Sequence, residues 1–88
     1  MRKLITNGGA TDSAIRAIRD KLETRLEDKG CHGFISIHEI LGIMDEEYDE
    51  MKDTIHLNDH DGLRKELIDI AVAAIWSIVS IDAEALDW

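Results

Sequence analysis

Apolar residues recur at three- and four-residue steps along most of the chain, which is the period of an α-helix that presents one face to a core. The chain contains no proline, and its β-branched residues do not alternate with polar residues, as they would in half-buried strands. The pattern therefore predicts an all-α fold with three helices.

The first predicted helix lies between two glycine-containing segments. Gly8-Gly9 separates it from a flexible tail over residues 1–9, and Lys29-Gly30 ends it with a cation and a glycine, as helix C-termini prefer. Either Thr11 or Asp12 is expected to cap its N-terminus. The apolar stripe of this helix consists of Ile15, Ile18, Leu22 and Leu26.

Capping residues mark the starts of the second and third predicted helices, which a short polar segment joins. Ser36 and Glu39 have the spacing of a capping box and start the second helix, which should end near residues 56–58. Either Asp59 or Asp61 should cap the third helix, which is predicted over about 63–81. The apolar stripe of the second helix consists of Ile37, Ile40, Leu41, Met44, Tyr48, Met51 and Ile55.

The third helix differs from the others because residues 70–79 are apolar on every side. A helix that is apolar all round has to be buried all round, and two further helices of an 88-residue chain cannot surround it. Small domains usually gain stability from disulfides, a metal or a partner subunit, and the single cysteine, Cys31, excludes a disulfide within the chain. We therefore expect residues 1–88 to form one antiparallel bundle that is completed by homo-oligomerisation.

The charge of the chain bounds its partners. With 10 basic and 19 acidic residues, the formal net charge is −9, which repels nucleic acid and anionic membrane surfaces. The longest apolar run, 70–81, is too short to span a bilayer. A signal peptide needs a sustained apolar stretch after its basic start, whereas this chain turns polar at residues 6–9. We predict a cytoplasmic protein that binds neither nucleic acid nor a membrane.

Two pairs of carboxylates carry the chemical signal. Glu47 and Glu50 on the second helix, and Glu66 and Asp69 on the third, are each three residues apart and so lie on one helix face, one turn apart. Glu47 falls at the edge of the apolar stripe, and the second pair shares a side with Ala73, a small residue that leaves room. If the two helices pack antiparallel, as their short connection favours, the pairs face each other.

Four partly buried carboxylates repel one another unless they are protonated or neutralised by a cation. A hard divalent cation takes oxygen ligands, and Mg²⁺ suits carboxylates that share it with a phosphate-bearing substrate. Either pair alone is more commonly part of a solvated helix face. The two pairs together favour a metal site.

These four acids resemble the E-x-x-E…E-x-x-D motif of the MazG-type all-α nucleoside triphosphate pyrophosphohydrolases, and the likeness extends over residues 29–80. The resemblance implies a MazG-like fold and hydrolysis of a (deoxy)nucleoside triphosphate to the monophosphate and pyrophosphate, in a homodimer or a dimer of dimers. It implies Mg²⁺ as cofactor, with Mn²⁺ as a substitute, and Glu47 or Glu46 as acceptor of a proton from the attacking water. The implied metal ligands are Glu47, Glu50, Glu66 and Asp69.

This chain departs from the family pattern at two places. Asp49 stands where fuller members often have glycine, and residues 82–88 lack the asparagine and basic residues that contact base and phosphate in the family. Weaker candidates for substrate binding are Lys29, His32, His38, Arg64 and Lys65. Helix-end charges, local hydrogen bonds and intrahelical ion pairs are the more ordinary roles of these five residues.

Several other residues invite a functional interpretation. His56 and His60 have the i, i+4 spacing of a metal-binding pair, but a turn between them should separate their faces. Trp76 and Tyr48 could stack on a base, although packing in a core or interface is the commoner role of Trp76. Two rival functions stay open: a catalytically silent oligomeric scaffold or regulator that keeps the fold, and an acidic mimic of nucleic acid. The mimic should spread its carboxylates along exposed faces instead of clustering four beside apolar stripes.

Overall fold

The computed structural model describes residues 2–4, 8–30 and 32–87, except for the side chain of Lys29. Secondary structure in this part of the chain is entirely helical: α1 spans Gly8–Lys29, α2 spans Ile37–His56 and α3 spans His60–Asp82. The predicted all-α fold with three helices is confirmed. Within the described ranges, no helix combines the length and the hydropathy needed to cross a membrane.

Helix α1 begins earlier than the sequence pattern predicts. Gly8 and Gly9 are helical, so Thr11 and Asp12 lie inside the helix and the prediction that one of them caps it is wrong. The predicted tail over 1–9 is correspondingly too long. A glycine costs about 1 kcal/mol in a helix interior, but each residue added to an existing helix also adds a backbone hydrogen bond.

The end of α1 agrees with the prediction. Gly30 has φ +78°, the left-handed conformation that closes many helices and that glycine adopts without strain. Its N–H donates to the carbonyl of Leu26 at 2.9 Å. The chain then leaves the helix axis and returns across α3 in the connector 32–36.

The capping box of α2 is present in a shifted form. The Ser36 hydroxyl accepts a hydrogen bond from the N–H of Glu39 at 3.3 Å, as predicted. The Glu39 carboxylate accepts from the N–H of Ile35 at 3.1 Å, one residue before the N-cap. Both interactions use N–H groups that would otherwise lack a partner at a helix start, so they fix the point where α2 begins.

The turn between α2 and α3 is tight. Helix α2 ends at His56, and Asn58 takes a left-handed conformation with φ 54°. Asp59 is the N-cap of α3, and its carboxylate accepts from the N–H of Gly62 at 2.9 Å. Of the two predicted caps, Asp59 is therefore correct and Asp61 is wrong, and α3 starts at His60 instead of residue 63.

Helix α3 is the centre of the molecule. It packs against both α1 and α2, whereas the backbones of α1 and α2 stay apart in the described part of the chain. Arg25 of α1 contacts Asp69, and Phe34, which follows α1, contacts Ser80, so α1 and α3 run in the same general direction. The tight turn makes α2 antiparallel to α3. A cleft opens between α1 and α2 as a result.

The buried residues lie on one face of the central helix. Val72 and Ala73 are the described apolar residues with the least exposure, at 3% and 4%, and Ser77 and Ser80 are buried beside them. The Ser80 hydroxyl accepts from the N–H of Phe34 at 3.0 Å and donates to the carbonyl of Trp76 at 2.8 Å. A buried hydroxyl with both partners holds the connector on α3.

Gly33 leaves little room for a side chain where the connector crosses α3. A Cβ atom at this position would lie 3.1 Å from the Cβ of Ala85 and 3.2 Å from the Ser80 hydroxyl. A larger residue would therefore require its neighbours, including the Ser80 hydroxyl that binds the Phe34 N–H, to shift by a few tenths of an ångström.

The other face of α3 is left open in a single chain. Ile75, Ile78 and Val79 are spaced three and four residues apart and are 37%, 57% and 39% exposed. The prediction that 70–79 is buried all round is thus not met by one chain alone. Large apolar residues of α2 are exposed as well, namely Ile37, Leu41, Tyr48 and Ile55.

Candidate functional site

Helices α2 and α3 bring three of the four predicted acids together. One carboxylate oxygen from each of Glu47, Glu66 and Asp69 lies within 4.8 Å of the other two, and all three residues are half-buried. Two bonds from a Mg²⁺ ion to oxygen, each about 2.1 Å long, span at most about 4.2 Å. Three oxygens that share one ion are at most about 3.6 Å apart when evenly spaced, so the cluster would have to contract by about an ångström to hold such an ion with all three ligands.

The fourth predicted acid lies at the margin of this cluster. Glu50 is exposed, but its carboxylate is close enough to hydrogen-bond that of Glu66 once one of the two is protonated. Among the neighbouring acids, Asp69 has the largest effect on the pKa of Glu47, and the two carboxylates lie within 4.8 Å of each other. An antiparallel hairpin with its turn at 57–59 produces this pairing of Glu50 with Glu66 and of Glu47 with Asp69.

Two oxygens of the cluster are buried and lack a partner. Oε2 of Glu47 and Oε2 of Glu66 are shielded from solvent, and no described residue donates a hydrogen bond to either. A buried carboxylate oxygen without a donor is costly, because it has lost its hydration without replacement. A proton or a cation at this position would remove the cost.

The pKa values of both glutamates reflect this environment. Burial raises the pKa of Glu47 above its ordinary value of 4.5, and the charges of Asp69 and Glu50 raise it further, whereas Arg25 lowers it. Burial also raises the pKa of Glu66, with the neighbouring carboxylate of Glu50 as the next cause. The fold thus gathers negative charge at a place where that charge is poorly solvated.

Helix α1 adds cations that sequence reasoning missed. Nη2 of Arg25 donates to Oδ1 of Asp69 at 3.0 Å, and Nζ of Lys21 lies 3.9 Å from the same oxygen. Arg25 directly precedes Leu26 and follows Leu22 by three residues, so it flanks the apolar stripe of α1. That position at the edge of the stripe was the available signal, but it does not identify a partner 44 residues away.

A cleft of about 430 Å³ lies beside the carboxylate cluster, between α1, the connector and the facing sides of α2 and α3. Glu47 and Arg25 belong both to its wall and to the surroundings of the cluster. Glu46, the second candidate base, also lines it and is exposed. The apolar part of the wall includes Leu22, Leu26, Phe34, Ile43, Val72 and Trp76.

Trp76 links this cleft to the connector. Its indole N–H donates to the carbonyl of His32 at 2.8 Å, which fixes the ring at the cleft wall. His32, one of the weaker substrate candidates, also lines the cleft. Tyr48 lies elsewhere, with Nζ of Lys52 5.0 Å from the centre of its ring.

The remaining substrate candidates do not converge on the cleft. Its described lining includes neither His38 nor Arg64, and both residues are exposed. Lys65 lines an open groove on the other side of the cluster, together with Lys21, Glu66 and Asp69. The predicted roles of the Lys29 side chain and of Cys31 fall outside the described part of the chain.

The two histidines at i, i+4 spacing do not form a pair on one helix. His56 ends α2, whereas His60 begins α3 after the turn. The ring of His60 is within 3.2 Å of the Asn58 side-chain oxygen. The expected separation of the two faces by a turn is confirmed.

Comparison of the chain with protein-family models, with curated proteins and with solved structures finds no match.

Proposed function

We propose that this chain is a MazG-like, Mg²⁺-dependent pyrophosphohydrolase that converts a (deoxy)nucleoside triphosphate and water to the monophosphate and pyrophosphate. The observation that carries the proposal is the cluster of Glu47, Glu66 and Asp69 at the side of a cleft. Carboxylates arranged in this way bind the divalent cations that accompany phosphate substrates. The apolar wall with Trp76 offers a surface for a base.

The proposed metal ligands are the three clustered acids, with Glu50 as the fourth. The unpartnered oxygens of Glu47 and Glu66 support this assignment, because a cation would supply the interaction that the protein does not. Mn²⁺, which accepts the same oxygen ligands, should replace Mg²⁺. When bound, the ion would polarise phosphate oxygens and lower the pKa of a coordinated water.

The proposed acceptors of the proton from the attacking water are two glutamates. Glu47 reaches both the cluster and the cleft, and the oxygen of its carboxylate that does not bind the metal is the proposed acceptor. Glu46 lines the cleft from the exposed side. Hydrolysis breaks the bond between the α- and β-phosphates, and the proton taken from water is later released to solvent.

We further propose that a second copy of the chain covers the open face of α3. The exposed residues Ile75, Ile78 and Val79 form a contiguous apolar surface that a single chain leaves in water. A homodimer, or a dimer of dimers, would bury this surface. A cytoplasmic location stays a prediction of the sequence.

Measurement of both pyrophosphate and orthophosphate tests the proposed reaction. A panel of canonical and modified nucleoside triphosphates with Mg²⁺ should yield pyrophosphate with at least one substrate, and Glu47→Gln should lower that rate by at least about a hundredfold. The matched control is Asp49→Asn, since Asp49 is on the same helix but pairs with Lys52 at 3.1 Å on an exposed face. Absence of hydrolysis with both Mg²⁺ and Mn²⁺ would refute the proposed pyrophosphohydrolase activity.

A catalytically silent scaffold or regulator is the second candidate. The observation in its favour is the ion pair between Arg25 and Asp69, which neutralises one member of the cluster without a metal. A scaffold of this kind should form the same oligomer whether or not Mg²⁺ is added. Retained assembly together with no metal binding in calorimetry would favour it over the enzyme.

A further inference from the structure

Arg25 lies at the boundary between the carboxylate cluster and the cleft. Its guanidinium donates to Asp69 at 3.0 Å, and its side chain also forms part of the cleft wall. Among the described residues that line the cleft, it is the only lysine or arginine. An anion that enters the cleft would therefore meet the permanent positive charge of Arg25 in its wall.

We propose that Arg25 exchanges partners: it binds Asp69 while the cluster is free of metal, and it turns to the phosphate oxygens of a ligand in the cleft once a divalent cation occupies the cluster. This inference rests on the proposed function, because it requires the same metal-binding carboxylates. It assigns Arg25 two successive roles, first as a substitute cation and then as the anion-binding residue of the cleft.

Competition for Asp69 is the first step of the argument. A divalent cation bound to this carboxylate would lie within a few ångströms of the guanidinium and repel it. The guanidinium is a permanent positive charge in proteins, so the repulsion lasts until the side chain moves. It has to move to another anion, and its side chain is one-third exposed and so has room to rotate.

The second step is the direction of that movement. Lys21 also approaches Asp69, but it lines the open groove on the other side of the cluster and does not belong to the described cleft lining. Arg25 lines the cleft itself. A phosphate that bridges the metal and the cleft would thus meet Arg25, whose planar donors can bind two phosphate oxygens at once.

The third step concerns net charge. The chain carries −9 overall, and Glu39, Glu46 and Glu47 line the same cleft. A phosphate chain would be repelled from this wall unless a cation offsets the acids. The metal offsets those in the cluster, and Arg25, released from Asp69, offsets those that face the cleft.

Calorimetry with two probes, Mg²⁺ alone and inorganic pyrophosphate in saturating Mg²⁺, tests the exchange in Arg25→Gln. Mg²⁺ should bind this variant up to about fivefold more tightly, because it no longer displaces a partly exposed ion pair. Pyrophosphate should bind about tenfold or more weakly, because a charge-assisted hydrogen bond is lost. The opposite signs distinguish partner exchange from general loss of structure, which would weaken both.

Arg16→Gln is the matched control. Arg16 is exposed on α1, nine residues before Arg25 and therefore on the opposite helix face, and the variant makes the same change in net charge. It should leave both affinities within about twofold of wild type. If Arg25→Gln fails to fold, Arg25→Lys keeps the charge without the planar donors and should show weakened pyrophosphate binding with nearly unchanged Mg²⁺ affinity.

The outcomes separate this inference from the proposed function. If wild type binds Mg²⁺ and pyrophosphate but both Arg25 variants bind pyrophosphate as wild type does, the exchange is refuted while the enzyme stands. It is equally refuted if Mg²⁺ affinity falls in Arg25→Gln, since Arg25 would then support the metal site instead of competing for it. If wild type binds no divalent cation, the proposed function fails and the exchange fails with it.

Discussion

Substitution of Glu66 by glutamine separates a metal site from a solvated acidic surface. In metal-free protein, Glu66 contributes a negative charge whose partner oxygens on Glu47 and Asp69 lie within 4.8 Å. Two such charges repel by about 1 kcal/mol in water and by about 3.5 kcal/mol at the effective dielectric constant of a protein surface. Because the cluster is only half-buried and already contains Arg25, we expect Glu66→Gln to stabilise the metal-free fold by about 1 kcal/mol.

Added Mg²⁺ should reverse this order. A site that is saturated a hundredfold above its dissociation constant stabilises the fold by about 2.7 kcal/mol, which corresponds to a rise in Tm of about 10–20 °C for a domain of this size. The variant loses one ligand and should lose most of that rise. Wild type is therefore expected to be the less stable protein in EDTA and the more stable one in Mg²⁺.

Thermal melts of wild type and Glu66→Gln, each in EDTA and in saturating Mg²⁺, give the four values needed. Glu23→Gln is a suitable control, because Glu23 is exposed on α1. This substitution removes one negative charge, as Glu66→Gln does, but away from the cluster. The metal-site hypothesis fails if wild type gains nothing from Mg²⁺, or if Glu66→Gln gains as much as wild type does.

Three further perturbations test the site, the open face and the connector. The pKa values of Glu47 and Glu66 are raised above 4.5 in the folded protein. The contribution of these two acids to stability is therefore fully present below pH 4.5 and is lost as the pH rises through their folded-state pKa. Tm in EDTA should therefore be higher at pH 5 than at pH 7, and a flat profile would contradict the burial of these acids. Ile78→Glu places a charge on the open face of α3 and should convert an oligomer to a monomer in light scattering, whereas an unchanged mass would exclude this face from the interface. Ser80→Ala leaves the Phe34 N–H without its acceptor and should lower the free energy of unfolding by about 1–3 kcal/mol in urea titrations, and an unchanged midpoint would show that the connector does not depend on this bond.

The α2–α3 hairpin could be predicted because its determinants are local. Ser36 and Asp59 cap helices through side chains that reach N–H groups three residues away, so their roles are visible in a short stretch of sequence. The i, i+3 spacing of the acids and the tight turn then bring Glu47, Glu66 and Asp69 to one place. Two predicted helix starts were too late, by four or five residues for α1 and by three for α3, because the exact end of a helix depends weakly on sequence.

The position of α1 could not be predicted in the same way. Its apolar stripe predicts that it packs against a core. Nothing in the stripe identifies which helix it contacts or at which position along the axis of that helix. The contacts that fix the position of α1 along α3 join residues far apart in sequence. Arg25 contacts Asp69, and Trp76 contacts the carbonyl of His32. The cleft is a consequence of that placement, since it exists only because α1 packs on α3 and stays away from α2.

This difference explains why the sequence predicted ligands for a metal but not the cation that opposes it. The carboxylates proposed to bind a metal lie on neighbouring turns of one hairpin, and their spacing can be read from the sequence. A cation that pairs with one of these carboxylates can come from any helix that reaches it, and here Arg25 of α1 pairs with Asp69. Asp69 is consequently shared between two sets of contacts, the acids of the hairpin and the cations of α1. Since one carboxylate cannot satisfy a divalent cation and a guanidinium equally well, metal binding at the hairpin should alter the contact between α1 and α3.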